Sequence, residues 1–168
     1  MQFGTETHNK TIPHWFLYLP EHKQHAFLKG YVAGDGHVDE EKHEVSMATV
    51  SPRLAMKLRL LLYRLGYIHG LGVKEGSISV IEGRVVKGRE IFIITVSGLS
   101  GIELMKRLGY EPRLTGARQE GINYGWVGEK YVFLPILKVE REPFKGMVYN
   151  LHVEEDESYL TFHCAVHN

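Results

Sequence analysis

Apolar residues along this chain follow two rhythms. Between Pro52 and Gly66, Leu54, Leu58, Leu61, Leu62 and Leu65 recur at helical spacing and predict a helix with one buried stripe. Ser51 before Pro52 supplies an N-cap and a first-turn proline, and Gly66 supplies a stop. Pro20-Glu21 opens an earlier helix, which runs through HKQHAFLKGYVAG and is stopped by Gly34-Asp35-Gly36. A third helix, SGIELMKRLG, is predicted from Ser100. Elsewhere the period is two. Val45, Met47 and Thr49 share one face of a strand over residues 44–50. Ser77–Ile81 leads through a turn at Glu82-Gly83-Arg84, and a second turn at Lys87-Gly88-Arg89 precedes a strand over Ile91–Val96. Thr11–Phe16 reads as an extended segment that packs aromatic side chains.

The order helix, strand, helix, two or three strands, helix makes one α+β unit. Its expected bounds are 21–113, after a lead-in over 1–20 and before a Gly- and Arg-rich linker over 114–130. From Tyr131 to Asn168 the pattern is all β: YVFLPILKVE, GMVYNLHVE and SYLTFHCAV. Eighteen glycines against six prolines suit a fold with many turns.

Charge changes this picture a little. Lys and Arg equal Asp and Glu at 20 each, which by itself argues against a nucleic-acid partner. The distribution is uneven, however: residues 53–113 carry eleven basic side chains against five acidic ones, between two acidic flanks. Such a middle segment could follow a phosphate backbone. The single cysteine, Cys164, allows no internal disulfide and suits a reducing compartment. No apolar run approaches the roughly twenty residues of a membrane span, and MQFGTETHNK lacks the pattern of a signal peptide. The expectation is a cytoplasmic protein with no membrane partner.

Two segments carry candidate chemistry. In Phe27-Leu28-Lys29-Gly30-Tyr31-Val32-Ala33-Gly34-Asp35-Gly36, Gly30 and Gly34 lie four apart on one helix face, where a second helix can approach closely. Asp35 then stands at the base of that contact. With the helix SPRLAMKLRLLLYRLG, the segment resembles one repeat of the LAGLIDADG homing endonucleases, over roughly residues 11–109. The resemblance implies an αββαββα repeat whose strands sit over a DNA major groove. It implies Asp35 as the metal-binding acid, Mg²⁺ as the cofactor of DNA cleavage, and Lys87 as the lysine that polarises the water. The DNA-contacting strands would be 43–50 and 70–97, with Lys74, Arg84, Lys87 and Arg89. Ala33 replaces an earlier acid of the motif. A single repeat implies a partner, either a second repeat on another chain or a second copy of this one.

The other segment is MVYNLHVEEDESYLTFHCAVHN. An asparagine amide can attack its own following carbonyl, closing a succinimide and cutting the backbone, while a neighbouring histidine protonates the leaving amine. Asn168 and His167 have that pairing, and the segment over 131–168 resembles the C-terminal blocks of inteins, whose splicing domain has the all-β HINT fold. The resemblance makes Asn168 and His167 catalytic and needs no cofactor for splicing. Asn150 stands where the family usually has an aspartate and Glu157 where it often has a histidine, so Asn150, Glu157 and His163 are the splicing-support positions. His163, Cys164 and His167 are read as strand residues rather than a zinc site, and His22 and His25 as a solvated helix face.

Nothing near Met1 resembles an intein N-terminal block. The expectation is therefore the C-terminal part of a split intein, joined in function by an N-terminal intein fragment and acting on host polypeptides, with double-stranded DNA as a further partner. The rival expectations are a free-standing homodimeric site-specific endonuclease that keeps an intein remnant, and a DNA-binding relic that does not cut.

Overall fold

In the computed structural model the three stretches with helical spacing are helices with chemically defined ends. Residues 3–4, 6–76, 78–81, 84–113, 125–129, 131–149, 151–154, 158–160 and 165–167 are described, with backbone alone for 78–81, 85–87, 158, 160 and 165–167. Helix α1 spans Glu21–Asp35, α2 Pro52–Arg64 and α3 Gly98–Leu108. The Ser51 hydroxyl accepts the Leu54 N–H at 3.3 Å and donates to the Lys10 carbonyl at 2.7 Å. It thus caps α2 and ties the lead-in segment to it. Gly66 (φ +83°) and Gly109 (φ +87°) end α2 and α3 in the left-handed conformation. Each donates to the carbonyl three residues back, and the following Tyr67 or Tyr110 donates to Leu62 or Met105 at 2.9 Å. This double bond satisfies the last carbonyls of each helix. Helix α3 begins two residues before the expected Ser100, because Ser97 already has extended geometry and Gly98 turns the chain.

Four strands form the main sheet: β1 Gly36–Asp39, β2 Glu44–Thr49, β3 Gly70–Lys74 and β6 Ile91–Val96. Their order is β1-β2-β6-β3, antiparallel throughout. Strands β4 Ile78–Ile81 and β5 Arg84–Lys87 form a separate hairpin, as the two turn signals predict. Strand β1 has no counterpart in the periodicity, since Gly36-His37-Val38-Asp39 carries one apolar side chain. Chain reversal at Asp39 secures it: the carboxylate accepts from the Glu41 and Lys42 N–H groups at 3.1 and 2.9 Å.

All three helices cover one face of this sheet. Val45, Met47, Ile94 and Val96 point into the core and meet Leu28, Val32, Leu58, Leu61, Leu62, Leu104 and Met105, all buried. Each fully buried leucine contributes roughly 2 kcal/mol before entropy is counted. The lead-in segment is not extended to its end. His14–Tyr18 is a 3-10 helix that buries Phe16 and Leu17 and leaves Trp15 half exposed. At the other end, the Arg113 N–H donates to the Glu40 carbonyl at 3.1 Å, and the His43 Nε2 donates to the Arg113 carbonyl at 3.0 Å. Arg113 also pairs with Glu40 and Glu41 at 3.6 and 3.1 Å.

Two compact units divide the chain, Met1–Leu134 and Pro135–Asn168. The first closes with a short hairpin, β7 Trp126–Val127 and β8 Val132–Phe133, in which Trp126 stacks on Phe133. In the second unit, β9 Ser158–Leu160 pairs antiparallel with β10 Ala165–His167. Residues 135–149 have the composition of strands but join no ladder. Ile136, Leu137, Val139, Val148 and Tyr149 are each more than three-quarters exposed. A strand is stable only when another strand takes its N–H and C=O groups, and among the described residues none does so here. No helix among the described residues is long and apolar enough to cross a membrane.

Candidate functional site

Asp35 is the last residue of α1 and is exposed. Its carboxylate lies at the negative end of the helix dipole, where it opposes helix stability. One turn earlier, Tyr31 donates its hydroxyl to the Ala48 carbonyl at 2.9 Å and ties this end of α1 to β2. Burial, and then the nearby Asp35 charge, push the Tyr31 phenol up, against a hydrogen bond from Thr49. The phenol therefore remains a neutral donor at ordinary pH. A pocket of about 340 Å³ opens beside Asp35, with Lys10, Tyr31, Thr49 and Ile91 among its walls.

Lys10 is the cation that the fold brings to Asp35, and sequence reasoning passed over it. Two bonds hold its neighbourhood: the Ser51 hydroxyl to its carbonyl, and the Thr11 N–H to the Phe3 carbonyl at 3.0 Å. The available signal was Ile12-Pro13, a buried anchor that fixes the residue two places before it. Lys87 occupies the end of β5, its backbone paired with Ile78, and its side chain lies outside the described residues. Of the other expected DNA contacts, Lys74 is exposed at the end of β3 in the main sheet. Arg84 is exposed at the start of β5, and Arg89 is exposed in the link to β6.

The outer face of α1 presents Ala26, Gly30, Ala33 and Gly34, all exposed. A side chain added at Gly30 or Gly34 would meet nothing within 4 Å. These glycines serve no packing among the described residues and leave a shallow helix face open. His25 is not simply solvated: its Nδ1 donates to the Glu21 carbonyl and its Nε2 meets the Tyr67 hydroxyl, both at 2.9 Å. Burial pushes that tyrosine up to about 12, so it keeps its proton.

Magnesium prefers six oxygen ligands and is usually held by one or two carboxylates with substrate phosphates. Among the described residues no three His, Cys, Asp or Glu side chains gather as ligands. Asp35 alone does not make such a site, and these residues do not fit the ion without a second carboxylate from elsewhere. No cleavage step is derived through it.

At the other end of the chain, the β9–β10 ladder sets His167 opposite Ser158, with Val166 opposite Tyr159. The ladder fixes the backbone that leads into Asn168. Asn168 itself, with Asn150, Glu157 and His163, lies outside the described residues.

Comparison with known proteins adds to this geometry. Residues 22–91 match the family model of the LAGLIDADG-like domain. An ATP-dependent DNA helicase of Thermococcus kodakarensis is 36% identical over 161 residues, which cover 93% of this chain and 14% of the helicase. An uncharacterized protein of Methanocaldococcus jannaschii is 33% identical over 161 residues, covering 95% of this chain and 19% of that protein. A DNA polymerase of Thermococcus hydrothermalis is 29% identical over 180 residues, covering 94% of this chain and 11% of the polymerase. The chain thus spans less than a fifth of the length of these curated relatives. The match spans all of α1, β1, β2, α2 and β3 and reaches the first residue of β6, the elements that surround Asp35. Residues 22–91 of this chain are a LAGLIDADG-like domain.

Proposed function

We propose that the chain is the C-terminal part of an intein that carries one homing-endonuclease-type repeat. One observation carries this reading. Nearly the whole chain aligns with a small part of a DNA helicase and with a small part of a DNA polymerase, proteins with different activities. A segment common to both serves neither activity and behaves as an inserted element. The alignments leave out too few residues to omit the segment over 131–168, so the splicing-type end travels with the LAGLIDADG-like domain.

In this reading Asn168 attacks through its side-chain nitrogen on its own carbonyl carbon. A succinimide closes, the bond to the next residue breaks, and the released amine takes a proton from His167. The β9–β10 ladder supports it by holding the backbone of His167 in register with Ser158. An N-terminal intein fragment supplies the first acyl shift and the strands that residues 135–149 lack. The LAGLIDADG-like domain binds double-stranded DNA on its main sheet and docks a second repeat on the Gly30–Gly34 face. In that assembly Asp35 faces the scissile phosphate, and Lys10 takes the role the sequence reading gave to Lys87.

The test joins the chain to an N-terminal intein fragment and to a reporter that begins with Ser, Thr or Cys after Asn168. Ligated flanks and a freed reporter are expected. Asn168→Ala abolishes release of the reporter, and continued release from that variant sinks the assignment.

A further inference from the structure

The open face of the four-stranded sheet is patterned, and the pattern becomes visible only through the register. Residues directly opposite one another in antiparallel strands share a face. His37 pairs with Ser46, Ser46 with Thr95, and Thr95 with Gly70, which makes one row across four strands. The next row is Ala48, Ile93 and Gly72, and beyond it Lys74 stands opposite Ile91. On the other side of the polar row, Asp39 stands opposite Glu44. The face therefore runs from acidic, through hydrogen-bonding and apolar, to basic. Lys42 already occupies the Asp39 carboxylate, at 3.1 Å.

We propose that the row His37–Ser46–Thr95 reads base edges in the major groove of double-stranded DNA. This rests on the DNA-binding reading of the LAGLIDADG-like domain and names the residues that would give it sequence preference. Three observations carry it. First, none of the three side chains bonds to another described residue, although His37 is exposed and Ser46 and Thr95 are half exposed. An imidazole and two hydroxyls both donate and accept, as readout of mixed base edges requires. Second, neighbouring strands lie about 4.8 Å apart, so the row from His37 to Thr95 covers about 10 Å. Base pairs rise about 3.4 Å each, so the row matches about three steps, within a groove about 12 Å wide.

Third, the edge strand β3 presents glycines at 70 and 72 on this face. A side chain at Gly70 would meet nothing within 4 Å, and one at Gly72 would meet only the Ile93 carbonyl at 3.9 Å. Neither glycine has a positive φ. Packing within the chain does not call for them, and glycine weakens a strand. Their value is a bare edge over which a broad partner can come close. Lys74 at the basic end, with exposed Arg84 and Arg89 following in the chain, suits phosphates, whereas the Asp39–Glu44 row marks the end where the duplex stops.

The experiment is selection from a randomised double-stranded DNA library by the full chain, followed by binding of the selected and scrambled duplexes at several salt concentrations. Wild type is expected to enrich a consensus. His37→Ala, Ser46→Ala and Thr95→Ala are each expected to lose about tenfold discrimination at one or two adjacent positions, with binding to scrambled duplex unchanged. Lys74→Ala weakens all sequences alike and flattens the salt dependence. Gly72→Val weakens all duplexes while its thermal midpoint stays at or above wild type. Variants that keep the wild-type consensus overturn the proposal, as does a wild type that enriches none while still binding DNA. A chain that binds no duplex at low salt overturns the DNA-binding reading itself, and this inference with it.

Discussion

Replacing Ser51 with alanine separates a hydroxyl that organises the fold from one that does not. Ser51 is fully buried and makes two bonds, one to the Leu54 N–H and one to the Lys10 carbonyl. Losing the helix cap costs about 1 kcal/mol, and losing the bond to Lys10 costs about 1 kcal/mol more. Ser97 stands at the same place before α3, yet it is exposed and makes no side-chain cap bond. Ser97→Ala should therefore stay within about 0.5 kcal/mol. For the unit Met1–Leu134, an unfolding entropy of about 2.1 cal/mol/K per residue converts 2 kcal/mol into a fall of about 7 °C in Tm. Calorimetry on the two variants and wild type measures this directly. Amide exchange at Leu54 should also quicken in Ser51→Ala alone. If both variants lose the same stability, the capping argument is wrong, and so is the claim that Ser51 fixes Lys10.

His69 gives a pH dependence. Burial, aided by the Arg59 charge, pushes it down to about 4 against its bond to the Tyr67 carbonyl. Because the folded value lies below the unfolded one, its contribution is complete above about 6.5. It is lost as pH falls towards 4, by up to about 3 kcal/mol. Urea midpoints at pH 7 and pH 4.5 should diverge in wild type and converge in His69→Gln; equal divergence in both removes His69 as the cause. The glycines should behave oppositely. Gly109→Ala forces a left-handed alanine and should cost about 1 kcal/mol or more, whereas Gly30→Ala meets open space inside a helix and should stabilise the chain by about 0.8 kcal/mol. Gly30→Ala should also weaken docking of a second repeat, measured by sedimentation, and unchanged docking would remove that face from the interface.

Local signals with a direct physical cause were legible. Pro20-Glu21, Ser51-Pro52 and Gly66 mark helix ends by satisfying or forgoing particular N–H and C=O groups, and the structure has those ends. Strand β1 was not legible, because its stability comes from the Asp39 turn and from the ladder to β2, and neither leaves an apolar rhythm. Apolar runs from Tyr131 onward read as strands, since composition reports a preference and carries no information about a partner. Lys10 was missed for a related reason. It gains meaning only from Ser51, forty-one residues away, which places it beside Asp35. Asp35 itself stood out early, because a charge at the wrong end of a helix has a local cost.

The tethers at Lys10 and Arg113 bear on heredity as much as on stability. Both flanks of the LAGLIDADG-like domain are fastened to its own body, one to Ser51 and the other to Glu40 and His43. Mutational drift in the residues outside those knots does not reach the sheet or Asp35. A domain tied off in this way can be carried between unrelated host genes, or lose one of its trades while keeping the other, and still fold.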